Sequence, residues 1–154
     1  MKTLVLGIGN PLLGDDGVGF HIAQELARQI KDENIDVQDT SVDGLNLLEL
    51  IIGYDKVIII DAIMTKGGKV GEIYKLRSED LANTVHFTTS PHNANLAIAI
   101  EIGNKILAEQ MPEEIVVFAV SIKQVPRFTE KMTEKVRAAI PKAVNLILQE
   151  LSPA

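Results

Sequence analysis

The sequence has 154 residues, 46% of them hydrophobic but only 4% aromatic, and carries a formal net charge of -6. This length suits a single domain over residues 1–154, with a core built mainly from aliphatic side chains. The acidic balance and the absence of a Lys/Arg run argue against a nucleic-acid partner, which needs a basic patch. The absence of cysteine excludes disulfides, thiolate metal sites and a cysteine nucleophile.

The two most apolar stretches of the chain lack the pattern of a targeting or membrane-spanning segment. The N-terminal apolar run is interrupted at Asn10-Pro11, too early for a signal peptide, which needs roughly 7–15 apolar residues and a small-residue cleavage site. The most apolar run elsewhere, residues 57–60, is far too short to span a bilayer. We therefore expect a soluble, cytoplasmic protein with no membrane insertion.

The first half of the chain alternates between strand and helix patterns. Residues 3–6 are apolar without alternation, as in a strand covered on both faces. The fourfold spacing of apolar residues then predicts a helix over Val18–Gln29. A strand over Ile35–Thr40, a short helix over residues 45–52 and a buried strand over residues 56–62 follow.

The second half continues this alternation. Residues 72–76 follow a Gly-Gly turn and predict a short edge strand, whereas residues 78–90 are polar and remain unassigned. An apolar stripe from Ala94 predicts a third helix, and residues 114–120 predict another buried strand. We expect a last helix capped by Thr129, with a kink or break at Pro141 because proline removes a helical hydrogen bond.

This order of elements predicts an α/β fold. Strands alternating with helices give a mainly parallel sheet with helices on both faces, here with residues 72–76 as one antiparallel edge strand.

Carboxylates and one imidazole follow the strands at the carboxyl edge of that sheet, where ligands bind in such folds. Asp15 and Asp16 come after the first strand, Asp61 near the end of the third, and His92 just before the third helix. Two carboxylates and one imidazole suit a divalent transition metal such as zinc, nickel, iron or manganese. Three protein ligands leave positions open for water or substrate.

Each of these residues also has a purely structural explanation. Asp15 or Asp16 could be the N-cap of the first helix, Asp61 a turn residue and His92 a helix cap. His21 suits a solvated or structural role, and we assign no role to His86.

The opening glycines also allow a weaker, dinucleotide-binding interpretation. That site needs G-x-G-x-x-G after a strand and an acidic residue about 20 positions later. Gly7 and Gly9 match, and Asp39 could be the acidic residue, but Leu12 takes the third glycine position. The G-K-[ST] of a P-loop and the G-x-S-x-G of a nucleophile elbow are both absent.

Four segments in order resemble the hydrogenase maturation endopeptidases, which complete the large subunit of [NiFe] hydrogenases. They are G-I-G-N-P-L-L-G-D-D-G-V-G from Gly7, V-D-G-L-N-L-L-E-L-I from Val42, I-I-I-D-A ending at Ala62, and S-P-H-N from Ser90. Together they span about the first two thirds of the chain.

The resemblance implies a three-layer α/β/α fold and a metal site formed by Asp16, Asp61 and His92. Asp43 falls on a further acidic position of the family, in a segment usually written D-G-G-T, which reads Asp43-Gly44-Leu45-Asn46 here. The resemblance further implies an aspartyl-type endopeptidase that removes the C-terminal extension of a [NiFe] hydrogenase large-subunit precursor. Nickel would be supplied by that precursor, no nucleotide would be needed, and a monomer is favoured.

The sequence is compatible with two mechanisms of cleavage. The metal could polarise the attacking water, or a carboxylate, Asp16 or Asp43, could act on that water as a general base.

Two alternative functions stay open. The opening also resembles the G-L-G-N-P start of peptidyl-tRNA hydrolase, whose next motif, T-R-H-N, is missing here. A metal- or nucleotide-binding module without enzymatic activity is the other alternative.

Overall fold

The computed structural model describes residues 1–42, 45–65, 67–83, 87–88, 91–123 and 128–153. Side chains are described in these ranges except at residues 65, 81–83, 87–88 and 91–95.

The five main strands are β1 Thr3–Ile8, β2 Ile35–Thr40, β3 Lys56–Thr65, β4 Ile73–Arg77 and β6 Glu114–Ser121. They form one mainly parallel sheet in the order β2-β1-β3-β6-β4. β4 alone among these runs antiparallel, and it lies at the edge, paired with β6. A two-residue strand, β5 (Phe87–Thr88), pairs antiparallel with the end of β3. The predicted mainly parallel sheet with one antiparallel edge strand is confirmed.

Helices cover both faces of the sheet, so the architecture is the expected α/β/α sandwich. The helices are α1 Val18–Gln29, α2 Asn46–Ile51, α3 Pro91–Ile106 and α4 Glu134–Leu151. On one face α1 and α4 pack with Ile58 and Phe118 in a buried apolar cluster. On the other face α2 and α3 pack with Leu6 and Ile59. The alternation of neighbouring β3 residues between the two clusters follows from the period-two geometry of a strand.

The bounds of α1 and β2 are the predicted ones, whereas those of other elements differ from the sequence predictions. The strand β3 runs past residue 62 to Thr65 because Met64 and Thr65 pair with β5, and α3 begins at Pro91 rather than Ala94.

The prediction for the start and course of the last helix was partly wrong. The residue at the N-cap of α4 is Thr133, not Thr129, and α4 continues unbroken through Pro141. Packing explains this continuity: one stripe of α4 is buried against the sheet and α1, which offsets the hydrogen bond lost at the proline. That stripe contains Val136, Ala139, Ala143, Val144 and Ile147. Among the described residues, none of the helices combines the length and apolar character that crossing a bilayer requires.

Candidate active site

A cavity of about 180 Å³ opens at the carboxyl edge of the sheet, between β1 and β3. The chain moves from β1 to β2 on one side and returns to β3 on the other, so this is the switch point of the sheet, where α/β folds bind ligands. The last residue pair between the two strands is Gly7 with Ile60. Beyond it β1 ends and β3 continues, which leaves Asp61 beside the gap. The cavity is lined by Ile8, Gly9, Asn10, Leu13, Asp16, Ser41 and Asp61.

Asp16 reaches this cavity from a short 3-10 turn, Gly14–Gly17, that follows β1. Its side chain is half-buried, and its Oδ2 accepts a hydrogen bond of 3.0 Å from the backbone N–H of Asn10. The helix α1 has Gly17 at its N-cap and no side-chain cap bond, so neither aspartate is the N-cap of α1. Asp16 is therefore available to a ligand in the cavity.

Asp61 supplies the second carboxylate and is only 2% exposed. Its Oδ1 accepts a hydrogen bond of 2.8 Å from the backbone N–H of Ala62. Its Oδ2 is buried and has no hydrogen-bond partner among the described residues. A buried polar atom without a partner is costly, and a charged one more so.

The electrostatics of Asp61 follow from this position. Burial raises the pKa of Asp61 well above its ordinary value, and the negative charge of Asp16 raises it further. The hydrogen bond from the N–H of Ala62 acts in the opposite direction but is outweighed. Two carboxylates that repel each other in a partly closed cavity are stabilised by a proton or by a cation. The donor chemistry thus fits a divalent metal presented at this point.

Asp15 does not join this pair, although it precedes Asp16 in the chain. Its side chain is 2% exposed and turns away from the cavity toward Thr133 at the start of α4. The expectation that the first loop delivers both aspartates to one site is therefore wrong for Asp15.

The remaining predicted site residues are only partly described. His92 lies in the first turn of α3, one residue further into the helix than Pro91, and its side chain is outside the described set. Asp43 also lies outside the described residues. Among the described side chains, no group of three His, Asp or Glu residues could hold a metal ion. The three-ligand set of Asp16, Asp61 and His92 thus stays a prediction.

Two residues with polar side chains line the cavity and were not predicted from the sequence. Asn10 holds Asp16 through its backbone N–H, and Ser41 lines the cavity directly after β2. The position of Ser41 after a parallel strand was the one available signal, because such positions meet at the ligand-binding edge.

The glycines of the opening loop are required by internal packing. A Cβ atom on Gly7 would lie 2.2 Å from the carbonyl oxygen of Gly19, and one on Gly9 would lie 2.2 Å from that of Asp16. Asp39, the acidic residue of the dinucleotide interpretation, accepts a hydrogen bond from Gln24. In a dinucleotide site such glycines let the backbone come close to a phosphate. Here Gly7 lets β1 come close to α1, and Gly9 lets the loop come close to the Gly14–Gly17 turn.

His21 lies on α1 and does not line the cavity. Burial lowers the pKa of His21, and its ring meets that of Phe20 edge to face. The solvated or structural role expected for His21 stays a prediction.

Comparison with known proteins agrees with this architecture. The sequence model of the hydrogenase maturation protease family matches residues 20–150, a range that begins after the Asp15-Asp16 turn. A Methanocaldococcus jannaschii protein assigned by name to the same class is 30% identical over 153 residues, covering 96% of this chain and 95% of that protein. The hydrogenase 2 maturation protease of Escherichia coli is 36% identical over 98 residues, covering 63% of this chain and 60% of that protein.

A solved structure extends the comparison to three dimensions. The hydrogenase maturating endopeptidase HybD from Escherichia coli superposes with a TM-score of 0.84 and 29% identity, covering 98% of this chain and 92% of that chain.

Proposed function

The chain belongs to the hydrogenase maturation protease family, and we propose that it removes the C-terminal extension of a [NiFe] hydrogenase large-subunit precursor once nickel has been inserted. Family membership supports the class of reaction and the kind of partner. One observation carries the nickel dependence. The buried Oδ2 of Asp61 has no partner among the described residues and lies near the Asp16 carboxylate in an open cavity.

The nickel belongs to the substrate in this proposal. Asp16 and Asp61 offer carboxylate oxygens, and His92 would add one nitrogen, so the set lacks the thiolates that bind nickel tightly. Such a set binds a free ion loosely but adds affinity for a precursor that presents the ion in place. The enzyme would then distinguish loaded from empty precursor by this difference in affinity.

Cleavage adds water to one peptide bond of the precursor. The water oxygen bonds to the carbonyl carbon, the C–N bond breaks, and the leaving nitrogen takes up a proton. Asp16 or Asp43 can accept the proton of the attacking water as a general base. Alternatively, the nickel of the precursor can polarise that water. Both routes place the scissile bond close to the cavity between β1 and β3.

The direct test is intact mass spectrometry of a large-subunit precursor mixed with this protein, with and without inserted nickel. We expect loss of a C-terminal peptide from the nickel-loaded precursor only. Equal cleavage of both forms would overturn the nickel checkpoint and leave the protease activity. The absence of cleavage of either form, with a matched precursor, would overturn the proposed function and favour a binding module.

The site assignment is tested with three variants, Asp16→Asn, Asp61→Asn and His92→Ala. Each should slow cleavage of nickel-loaded precursor by at least about 100-fold, the usual cost of removing one electrostatic contact to the reacting centre. Asp39→Asn is the matched control, because Asp39 is exposed at the same edge of the sheet and bonds only to Gln24 among the described side chains. Wild-type rates for all three site variants would show that the metal-binding residues lie elsewhere.

A further inference from the structure

Asp15 makes an unusual connection for a residue of the opening loop. Its carboxylate is 2% exposed and accepts two hydrogen bonds from Thr133, 118 positions further along the chain. The backbone N–H of Thr133 lies 2.8 Å from Oδ1, and its hydroxyl lies 2.9 Å from Oδ2. A buried carboxylate is therefore fully occupied with one distant partner.

That partner stands at the start of α4. Thr133 is the N-cap residue of α4, and its side chain makes no cap bond within its own helix. The Asp15 carboxylate takes up the N-cap N–H instead, where the partial positive charge of a helix N-terminus favours an anion. Since α4 buries a full stripe of side chains in the core, it gives the Asp15 bond a rigid base.

A second connection holds the same loop to the segment before α4. The backbone N–H of Gly14 donates to the carbonyl of Thr129 over 2.7 Å, and the N–H of Thr129 donates to the carbonyl of Leu12 over 2.8 Å. Residues 12–15 are thus bonded to residues 129–133 by backbone and side-chain contacts together. The short turn that carries Asp16 is fixed from outside the cavity.

We propose that Asp15 is a positioning residue, which holds the Gly14–Gly17 turn against α4 and so keeps the Asp16 carboxylate in the cavity that Asp61 also lines. This proposal rests on the proposed function, because the position of Asp16 affects the reaction only if Asp16 takes part in cleavage. Asp15 and Asp16 share one turn, so a shift of Asp15 moves Asp16 and stretches its 3.0 Å bond to the N–H of Asn10. A displacement of about 1 Å at a reacting centre costs on the order of 100-fold in rate.

Two substitutions separate the hydrogen bonds of Asp15 from its charge. Asp15→Ala removes both bonds to Thr133. Asp15→Asn keeps them, because the amide oxygen accepts from the N–H and the amide nitrogen donates to the hydroxyl oxygen. Asp36→Ala is the matched control: it also removes a carboxylate that accepts a side-chain hydrogen bond, 2.6 Å from Tyr54, but Asp36 lies on β2, four residues before the end of that strand.

Cleavage of nickel-loaded precursor and amide hydrogen exchange are measured on the same variants. Asp15→Ala should cleave about 100-fold more slowly, and exchange at the N–H of Asn10 should quicken by about tenfold as its bond to Asp16 loosens. Exchange at Val117, in the core strand β6, should stay unchanged. Asp15→Asn should restore both readouts to within about threefold of the wild type, and Asp36→Ala should leave both unaltered.

The outcomes are distinct. Unchanged cleavage by Asp15→Ala would overturn the proposal, with or without faster exchange at Asn10. Faster exchange at Val117 to the same degree as at Asn10 would also overturn it, since Asp15 would then support only general stability. If Asn10 responds as expected but the wild type cleaves no precursor, the proposed function fails while the anchoring of the turn by Asp15 stands.

Discussion

Replacing Asp61 by asparagine should make the protein more stable while it removes the proposed activity. The wild-type side chain is buried, and its Oδ2 lacks a partner among the described residues. Asparagine has the same shape and keeps an oxygen for the N–H of Ala62. It replaces a buried carboxylate by a neutral amide, which costs less to bury even when one end stays unpaired.

The raised pKa of Asp61 sets the direction of the change in the free energy of unfolding and an upper limit on it. Because the folded pKa lies above the ordinary value, the folded state holds the proton more tightly than the unfolded state, and stability falls as pH rises between the two values. Each pH unit of that interval costs about 1.4 kcal/mol. From an unfolded pKa of about 3.9, the ceiling at pH 7 is about 4 kcal/mol. Leaving one buried polar atom unpaired costs about 1–3 kcal/mol, which lies within this ceiling, and a gain of about 2 kcal/mol corresponds to roughly 4–8 °C in Tm for a domain of this size.

The assay is urea unfolding of wild type and Asp61→Asn between pH 4 and pH 7, with a chelator present to remove free metal. The variant should be the more stable at pH 7, and the difference should shrink toward pH 4, close to the unfolded pKa of about 3.9, because the unfolded chain then keeps about half of the proton that the folded wild type holds on Asp61. Asp39→Asn should change the free energy of unfolding by less than about 0.5 kcal/mol, as exposed substitutions do. A less stable Asp61→Asn at pH 7 would refute the reasoning, because it would show that the carboxylate is stabilised in the folded protein.

Three further predictions concern the framework of the fold. Gly7→Ala should destabilise the protein by about 2–3 kcal/mol in urea unfolding, because the added Cβ would lie 2.2 Å from the carbonyl oxygen of Gly19; wild-type stability would contradict the close packing of β1 on α1. Burial works to raise the pKa of Glu150, but hydrogen bonds from two lysines outweigh it and lower the pKa, so this carboxylate adds stability above its ordinary pKa that is lost as pH falls. Glu150→Gln should therefore cost about 1 kcal/mol at pH 7 and progressively less as pH falls below the ordinary pKa of a glutamate, and a cost that does not change with pH would contradict the ion-pair explanation. A hydrogen bond to Asp36, together with burial, raises the pKa of Tyr54 to about 12; Asp36→Asn should move it back toward 10, measured by ultraviolet absorbance, and an unmoved titration would contradict this cause.

Most of the secondary structure could be predicted from the sequence because its signals are local. The apolar repeat of α1 and the alternation of β-branched and polar residues at the start of β2 predicted the observed bounds, since both elements begin and end within their own patterns. The start of α4 could not be predicted from a single capping residue: both Thr129 and Thr133 are suitable caps, and only packing chooses between them. The continuity of α4 through Pro141 likewise depends on burial rather than on helix propensity.

The candidate site likewise combines features that could be predicted from the sequence with features that only the tertiary structure shows. The order of glycines, aspartates and strands in the sequence determined the family, the α/β fold and the edge of the sheet where Asp16 and Asp61 lie. Only the tertiary structure decided that Asp15 leaves this pair for Thr133, and that Asp61 keeps one oxygen without a described partner. The physical reason is distance along the chain: periodicity and turn chemistry act over a few residues, whereas the partner of a buried carboxylate depends on which distant elements the sheet order brings together.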